Sequence, residues 1–519
     1  MTGKSLVISC SLCLSLAAGA QEYDYVSTPA SREIALGSGL WLRSGNSAGI
    51  ALDSLGRISD LSLSGTYDYG SLKSQWSGDS ETDIRVATSG ITQVGGMTLY
   101  GDFSYDYISI EGARYNCLMF SPSYDQPYYI ADFVSSSWRK QVYDMGFRLA
   151  SPLLFSECAT LGFEARYKSL VGAKQVDPRI ETYRYDLGFA PSVAVRLGDR
   201  SSVGLRLGYM YSFERADPSV ENNWETPRVA IMRGLGFYTL GTAGGNMGFD
   251  IFYYRTNRLD ASAQYVLHSP SADLLVQAAF LYGKTLVSEN PTLPRMRGRT
   301  EKSAIGLDIA ANLGRKKNHR LDFAAEFGLT SGYEYNQQFD NTPGVYRWIT
   351  VSNPMMSTYD ILEADARYSY YGGLGTDGEY DFKLGLEADF FYMDQTYLIP
   401  RSDFDVVTCS VSAFAAWNIA LGDRHRLMPE LSAGYGLSPY GEYSYGGSSN
   451  TDSEIVTAFY PSELRFLSSD KIKCGAGLVY PVIFSKGSSL CIRVHAACDY
   501  SLSLAEYRLG AEFGVNYLF

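Results

Sequence analysis

The sequence predicts an all-β protein: a transmembrane antiparallel β-barrel of roughly 14–18 strands, with short turns at one rim and long loops at the other. Three observations carry this. Composition is half-polar yet rich in aromatics and glycine: Gly 51, Tyr 41 and Phe 25 stand in 519 residues, with 19% charged side chains and a mean hydropathy of −0.12. Segment after segment alternates apolar and polar residues, so each has one greasy and one wet face. Short polar turns and longer segments separate those strands. No apolar run of about eighteen residues occurs after residue 20, which excludes a bundle of membrane helices. The net charge of −12 excludes a nucleic-acid partner, which needs a basic stripe. With 45% hydrophobic residues and no charge blocks, the chain is not disordered.

The elements follow in chain order. Residues 1–20 read as a secretory signal peptide: Lys4, an apolar stretch from Leu6, then Ala18-Gly19-Ala20 before Gln21, with cleavage after Ala20. Val7-Ile8-Ser9-Cys10 resembles a lipoprotein box, but lies too near Lys4 to leave an apolar core before it. Residues 21–57 alternate little and contain Ser, Gly and Asn. They are expected to fold into the lumen as a plug or to hang in the periplasm. The barrel is assigned to 58–519, with strands starting near 58, 81, 96, 141, 158, 182, 201, 257, 272, 302, 320, 359, 379, 404, 426, 471, 489 and 507. Those near 81 and 257 show the weakest alternation.

The pattern is plainest in five of them. Val203, Leu205, Leu207, Tyr209, Tyr211 and Phe213 oppose Gly204, Arg206 and Gly208, and Leu321 to Leu329 oppose Asp322, Glu326 and Thr330. Tyr380, Phe382, Leu384, Leu386, Ala388, Phe390 and Tyr392 oppose Asp381, Lys383, Glu387 and Asp389. Leu490 to Leu502 oppose Arg493, His495, Asp499 and Ser501. The last strand places Tyr507, Leu509, Ala511, Phe513, Val515, Tyr517 and Phe519 on one face, against Arg508, Gly510, Glu512, Gly514 and Asn516. Polar turns at 197–200, 314–319, 421–425 and 485–489 carry Gly, Asp and basic residues, as tight hairpins prefer. Long connections are expected at 111–140, 214–257, 287–300, 334–359 and 441–470.

Two resemblances follow from these residues. The terminal strand, together with the export signal, resembles the last strand of Gram-negative outer-membrane barrels. That likeness implies Tyr517 and Phe519 as an assembly signal and the barrel-assembly machinery as a partner, with outer-membrane lipid around the strands. Leu40-Trp41-Leu42-Arg43-Ser44-Gly45-Asn46-Ser47-Ala48-Gly49, and the glycine-rich stretch from Met232 to Gly248 centred on Gly241-Thr242-Ala243-Gly244-Gly245, resemble a family of Gram-negative outer-membrane β-barrel proteins of unknown function. Its members tend to read Asn-Pro-Ala-Gly at the first place, where this chain has Ser47. The resemblance implies barrel and location, and supplies no substrate or catalytic residue.

The polar faces should line the lumen, because a Lys or Arg on the lipid side near mid-membrane costs about 2–4 kcal/mol. Candidate lining residues are Glu363, Asp365, Arg367, Asp381, Lys383, Glu387, Asp389, Arg493 and Arg508. They describe either a cation-preferring channel wall or a network of ion pairs filling a closed lumen. Loop aromatics Tyr115, Tyr124, Tyr128, Tyr129, Trp138, Tyr440, Tyr443 and Tyr445 suit either glycan contact or girdle and loop packing. The six cysteines after residue 20 form no Cys-x-x-Cys, so no metal or redox motif is expected, and packing explains them better. His495 lies mid-strand without a nucleophile in the pattern, so no enzyme is expected. Gly234 to Gly248 lacks the spacing of a phosphate loop, so no cofactor is expected either. The function this supports is a porin-like channel or uptake facilitator for small solutes. The alternative is a closed accessory or surface-recognition barrel that acts through its loops beside a partner transporter.

Overall fold

Strands form where polarity alternates, because each residue's neighbour along the chain points into the opposite medium. The computed structural model of the chain describes residues 28–519, apart from 54, 118–121, 223, 225, 243–249 and 485–487. Eighteen long antiparallel strands close into one barrel. They are β1 Ile58–Gly70, β2 Ser80–Val94, β3 Met97–Ala113, β4 Ser136–Ala150, β5 Ala159–Lys174 and β6 Arg179–Arg196. Next come β7 Ser201–Ser219, β8 Phe252–His268, β9 Ala272–Glu289, β10 Arg295–Leu313, β11 His319–Glu334 and β12 Met355–Gly372. The last are β13 Phe382–Tyr397, β14 Ser402–Trp417, β15 Arg426–Ser444, β16 Lys471–Ile483, β17 Ser489–Ser501 and β18 Glu506–Leu518.

Each pairs with its sequence neighbours, and β18 pairs with β1, placing Leu63 opposite Val515. Ser59 and Phe519 exchange backbone bonds of 2.9 and 3.0 Å at this seam. Closure leaves no strand edge to seek a partner, the condition for crossing a bilayer with strands. The outward face is apolar: Leu61 is 48% exposed, Ile305 60% and Phe513 57%. Such a band of exposed apolar side chains is the surface a transmembrane barrel turns to lipid.

The expected strand starts lie within several residues of the observed ones, including the two with weak alternation. Two expectations are corrected. The connection expected at 287–300 shrinks to 290–294, because β9 and β10 stay paired as a hairpin up to Glu289 and Arg295. Short turns at 175–178, 398–401 and 502–505 also sit at the long-loop rim, so length alternates only in part. The four long connections there are 114–135, 220–251, 335–354 and 445–470. The turn at 485–489 falls mostly on residues outside the described ones, as do residues 1–20 and the centre of the glycine-rich stretch.

Among the described residues, α-helices occur only in the material that fills the barrel or covers it: α1 Pro29–Ser38, α2 Leu40–Ser44 and α3 Tyr460–Ser468. Thr28 caps α1, its hydroxyl accepting from the Ser31 amide, with Pro29 at the first helical position. Gly45 at φ +73° ends α2 in the left-handed region, where a Cβ would be strained.

Candidate functional site

Segments of the chain occupy the barrel's interior at both ends. From the short-turn end, residues 28–53 enter as a plug. Trp41 and Leu40 are fully buried against Ala194, Val266, Leu275 and Ala310 of the barrel wall. A second apolar patch joins Ala30 and Ile34 to Tyr371, Tyr380, Met428 and Val479. Around these patches the plug is tied by polar bonds to strands on all sides. Arg32 pairs with Asp60 of β1 at 2.5 Å, and Arg43 pairs with Asp322 of β11. Arg148 of β4 donates to the Leu42 carbonyl at 3.1 Å, and Thr160 of β5 to that of Ala48 at 2.8 Å. The Ala48 amide donates to Ser192 of β6 at 2.9 Å, and Asn46 to Gln264 of β8 at 2.9 Å.

Glu33 gathers three donors from the far side: Lys383 at 2.7 Å and the phenols of Tyr371 and Tyr380 at 2.9 Å each. Burial alone would raise its carboxyl, yet Lys383 and the two phenols hold it below the usual range. Asp53 accepts the amides of Trp41 at 3.1 Å and Leu42 at 2.7 Å, satisfying donors at the start of α2. Burial pushes its carboxyl up to about 7 against those two bonds.

The approach of plug to wall depends on missing side chains. A Cβ at Gly162 of β5 would overlap the backbone of Ser47 and Ala48, and one at Gly204 of β7 would overlap Trp41 and Asn46. Glycine at these two wall positions makes the recess in which the plug's turn sits.

At the other end the long loops fold inward as a lid. Residues 130–132, 228–234 and 237–242 form a small three-stranded sheet, and α3 with the preceding turn lies beside it. Their aromatic and aliphatic side chains merge with inward residues of the wall in one apolar core, which includes Tyr129, Phe237, Phe459, Met393, Tyr397 and Phe404. Phe237 stacks on Tyr397 with centroids 4.0 Å apart. Glu463 of α3 joins three loops, accepting from the Gln75 amide at 2.6 Å and from Tyr124 and Ser74 at 2.5 and 3.1 Å. Lys174 and Asp132 form an ion pair with no solvent exposure; burial raises the Asp132 carboxyl and the Lys174 ammonium opposes it.

The candidate lining residues take different places. Glu363, Asp365, Arg367, Glu387 and Asp389 project from the inward faces of β12 and β13. Arg367 pairs with Glu387 at 2.9 Å, Asp389 accepts from Ser410 at 2.6 Å and lies 3.8 Å from Lys473, and Arg493 lies 3.9 Å from Glu430. Lys383 is a plug contact. Arg508 binds the Gly78 carbonyl at 3.2 Å near the long-loop rim. Asp381 is corrected: it lies exposed in the turn before β13 and not in the wall. Tyr380, expected to face lipid, turns inward to Glu33 for the same reason, since the alternating strand begins only at Phe382.

Of the eight loop aromatics considered for glycan contact or packing, Tyr115, Tyr128, Tyr129 and Trp138 are buried in the lid's core, and Tyr124, Tyr443 and Tyr445 pack against it partly buried. Cys409, Cys474 and Cys498 follow the outward parity, and all six described cysteines are free. The lid's wall partners were missed. A signal existed: Phe390-Phe391-Tyr392-Met393 is apolar on both parities, as a strand must be where lipid covers one face and protein the other.

Between plug and lid remain polar cavities. One of about 400 Å³ lies against β6 to β11, and another of about 260 Å³ lies below it, reaching Ser44 and Gly45 of the plug. A third of about 290 Å³ holds Glu363, Asp365 and Asp389 together with Lys471 and Lys473. Among the described residues, no group of three or more His, Cys, Asp or Glu is arranged to hold a metal ion.

Among solved structures, the chain is similar to the ferric preacinetobactin receptor BauA from Acinetobacter baumannii, at 8% identity over 88% of this chain and 80% of that one, with TM-score 0.36. It is similar to CdiB from the same organism at 11% identity, covering 89% and 60% of the two chains, with TM-score 0.36. The ferric citrate transporter FecA in its unliganded form gives 9% identity, 88% and 78% coverage and TM-score 0.38. No curated protein matches the sequence. A family profile covers residues 47–519, from the plug's Ser47 through all eighteen strands, and by that match the chain belongs to the family of unknown function DUF6850.

Proposed function

We propose that this protein is a gated uptake barrel of the bacterial outer membrane, passing small polar solutes when residues 28–53 leave the lumen. Residues 1–20 direct export and are removed after Ala20. The barrel-assembly machinery reads Tyr517 and Phe519, and the long-loop rim faces outward. The observation that carries the reading is the contrast between the two closures. The lid shares one large apolar core with the wall, whereas the plug meets the wall through two small apolar patches ringed by ion pairs and hydrogen bonds that water can replace. A polar seal of this kind releases at lower cost than an apolar one, because the separated groups regain hydration. The path it would open is polar, as a solute channel requires.

Planar-bilayer conductance tests this. The intact chain is expected to be silent or to open rarely, and a variant lacking residues 28–53 to give steady ohmic openings. Silence of both would overturn the gate. The lid's apolar core favours a second reading, a closed recognition barrel that acts through its loops with a partner transporter. Silence in both proteins, with loss of partner co-purification when 445–470 is deleted, would support that reading instead.

A further inference from the structure

The small sheet of the lid ends on a bare strand. Its order is Phe237–Thr242, Arg228–Gly234, Ile130–Asp132, so Phe237–Thr242 is paired along one side only. An unpaired edge is a row of backbone donors and acceptors, and proteins ordinarily blunt it with charges, proline or a cover. Phe237-Tyr238-Thr239-Leu240-Gly241-Thr242 holds no charge and no proline. The start of the edge is covered: Asn450 donates to the Tyr238 carbonyl at 3.3 Å, and Tyr445 packs on Phe237 with ring centroids 4.9 Å apart. Beyond it Thr239 and Leu240 are exposed, and no strand or backbone bond reaches this edge among the described residues. The N–H and C=O of one residue point to the same side of an antiparallel strand, and alternate residues share that side. The backbone groups of Leu240 and Thr242 therefore face the bare edge together with the Tyr238 carbonyl.

The same strand lines a cleft of about 850 Å³ at the long-loop rim, larger than the chambers in the lumen and within the range of ligand sites. Tyr238 and Leu240 form one side, and Val134 and Val176 stand on the others. Val134, Val176 and Leu240 remain 37%, 46% and 46% exposed, so the cleft opens to the outside with apolar surface showing. Two of its carboxylates are already held. Asp177 lies 3.2 Å from Arg179 and accepts the Glu221 and Asn222 amides at 3.1 and 2.8 Å. Glu454 accepts from Arg114 at 2.7 Å and from the Tyr115 hydroxyl at 2.6 Å. Arg228 lines the cleft, is exposed, stands opposite Thr242, and has no carboxylate partner among the described residues. The uncompensated charge on the cleft is thus positive.

We propose that this cleft captures an extended acidic peptide by strand addition. The peptide backbone continues the lid sheet along Leu240 and Thr242, its apolar side chains enter between Leu240, Val134 and Val176, and a carboxylate meets Arg228. Main-chain bonds give affinity in this mode, and pockets for alternate side chains give preference. A glycan lacks the alternating N–H and C=O groups that the edge matches. The source is free peptide in the medium, on the reading that the long-loop rim faces outward. The inference otherwise goes beyond uptake, because no plug residue belongs to the cleft and capture can be measured with the plug seated.

Fluorescence anisotropy on the full chain in lipid nanodiscs tests this, with the labelled peptide Thr-Val-Glu-Val-Thr-Val as probe. Its comparisons are the same peptide with alternate amides N-methylated, the peptide with Gln for Glu, and maltohexaose as competitor. N-methylation is expected to weaken binding about tenfold, because edge carbonyls lose their donors. Leu240→Pro should weaken it to a similar degree, since it removes an N–H that faces the bare edge and spares the bonds inside the sheet. Arg228→Gln should remove the preference for the Glu peptide over the Gln peptide, about threefold for an exposed pair. Arg228 is a surface position and the N-methylated probe needs no variant, so the test stands even where proline disturbs the lid. No peptide binding, equal binding of the N-methylated probe, or an unchanged Glu preference in Arg228→Gln would each overturn the assignment. Displacement by maltohexaose would overturn it in favour of a sugar site. Peptide binding together with a silent plug deletion would keep this cleft and remove the gate, while conductance without peptide binding would do the reverse.

Discussion

Asp53 and Glu33 give the plug opposite responses to pH. Asp53 is raised to about 7 by burial, above its unfolded value of 3.8. Holding it charged therefore costs stability at high pH, and that cost disappears as pH falls from about 7 to about 4. Glu33 is lowered, so its contribution is complete above 4.5 and is lost below that as pH falls through its folded value. Plug seating is thus expected to strengthen from pH 8 toward 5, by up to about 1.4 kcal/mol per pH unit inside that window, and then to weaken in stronger acid. The rate of trypsin cleavage after Arg43 reports plug release. Asp53→Asn should flatten the slope between pH 5 and 7, and an unaltered slope would mean that another group carries it. The fully buried Lys174–Asp132 pair makes a second prediction. Asp132→Ala strands an ammonium in the lid and should cost about 3–5 kcal/mol, whereas Lys174→Met with Asp132→Leu should be nearly neutral. Midpoints of heat-modifiable gel migration check both, and equal losses in the two would contradict the argument.

Among the elements, the plug is the one whose position depends on features of its neighbours. Gly162 belongs to a long, regularly paired strand, so a larger residue there disturbs no ladder bond. It would instead fill the recess that the backbone at Ser47 and Ala48 occupies. Gly162→Val is therefore expected to unseat the plug while the barrel stays folded, giving ohmic conductance and fast cleavage after Arg43. Trp41→Ala should act in the same direction by removing a fully buried side chain, at about 3–5 kcal/mol. A silent, protease-resistant Gly162→Val protein would show that the plug has another seat. The lid elements should respond to neither change, because α3 and the small sheet draw on a separate apolar core.

For the whole molecule, closure makes stability and permeability separable. Every barrel strand has two hydrogen-bonded neighbours, so the wall does not depend on its contents. Unboiled protein should migrate differently from boiled protein for the native chain and for every plug variant alike. Loss of that shift on plug deletion would show that the plug is part of the folding unit.

Strands, faces and turns were legible in the chain because they are local: side chains two residues apart share a face, and lipid against lumen sorts them by polarity. The orientation of Arg493 and Phe513 needed only the residues beside them. What those charges do was not legible. Lys383 meets Glu33 from 350 positions away, and Asp389 on β13 lies near Lys473 on β16, with two strands between them. Alternation assigns a residue to the lumen but not to a partner in it. Asp381 and Tyr380 were misplaced because alternation runs on, by chance, into a turn. The plug's seat and the lid were decided only by the closed barrel. Closing the sheet brings distant segments into one small volume, where packing and burial choose which polar groups are paired.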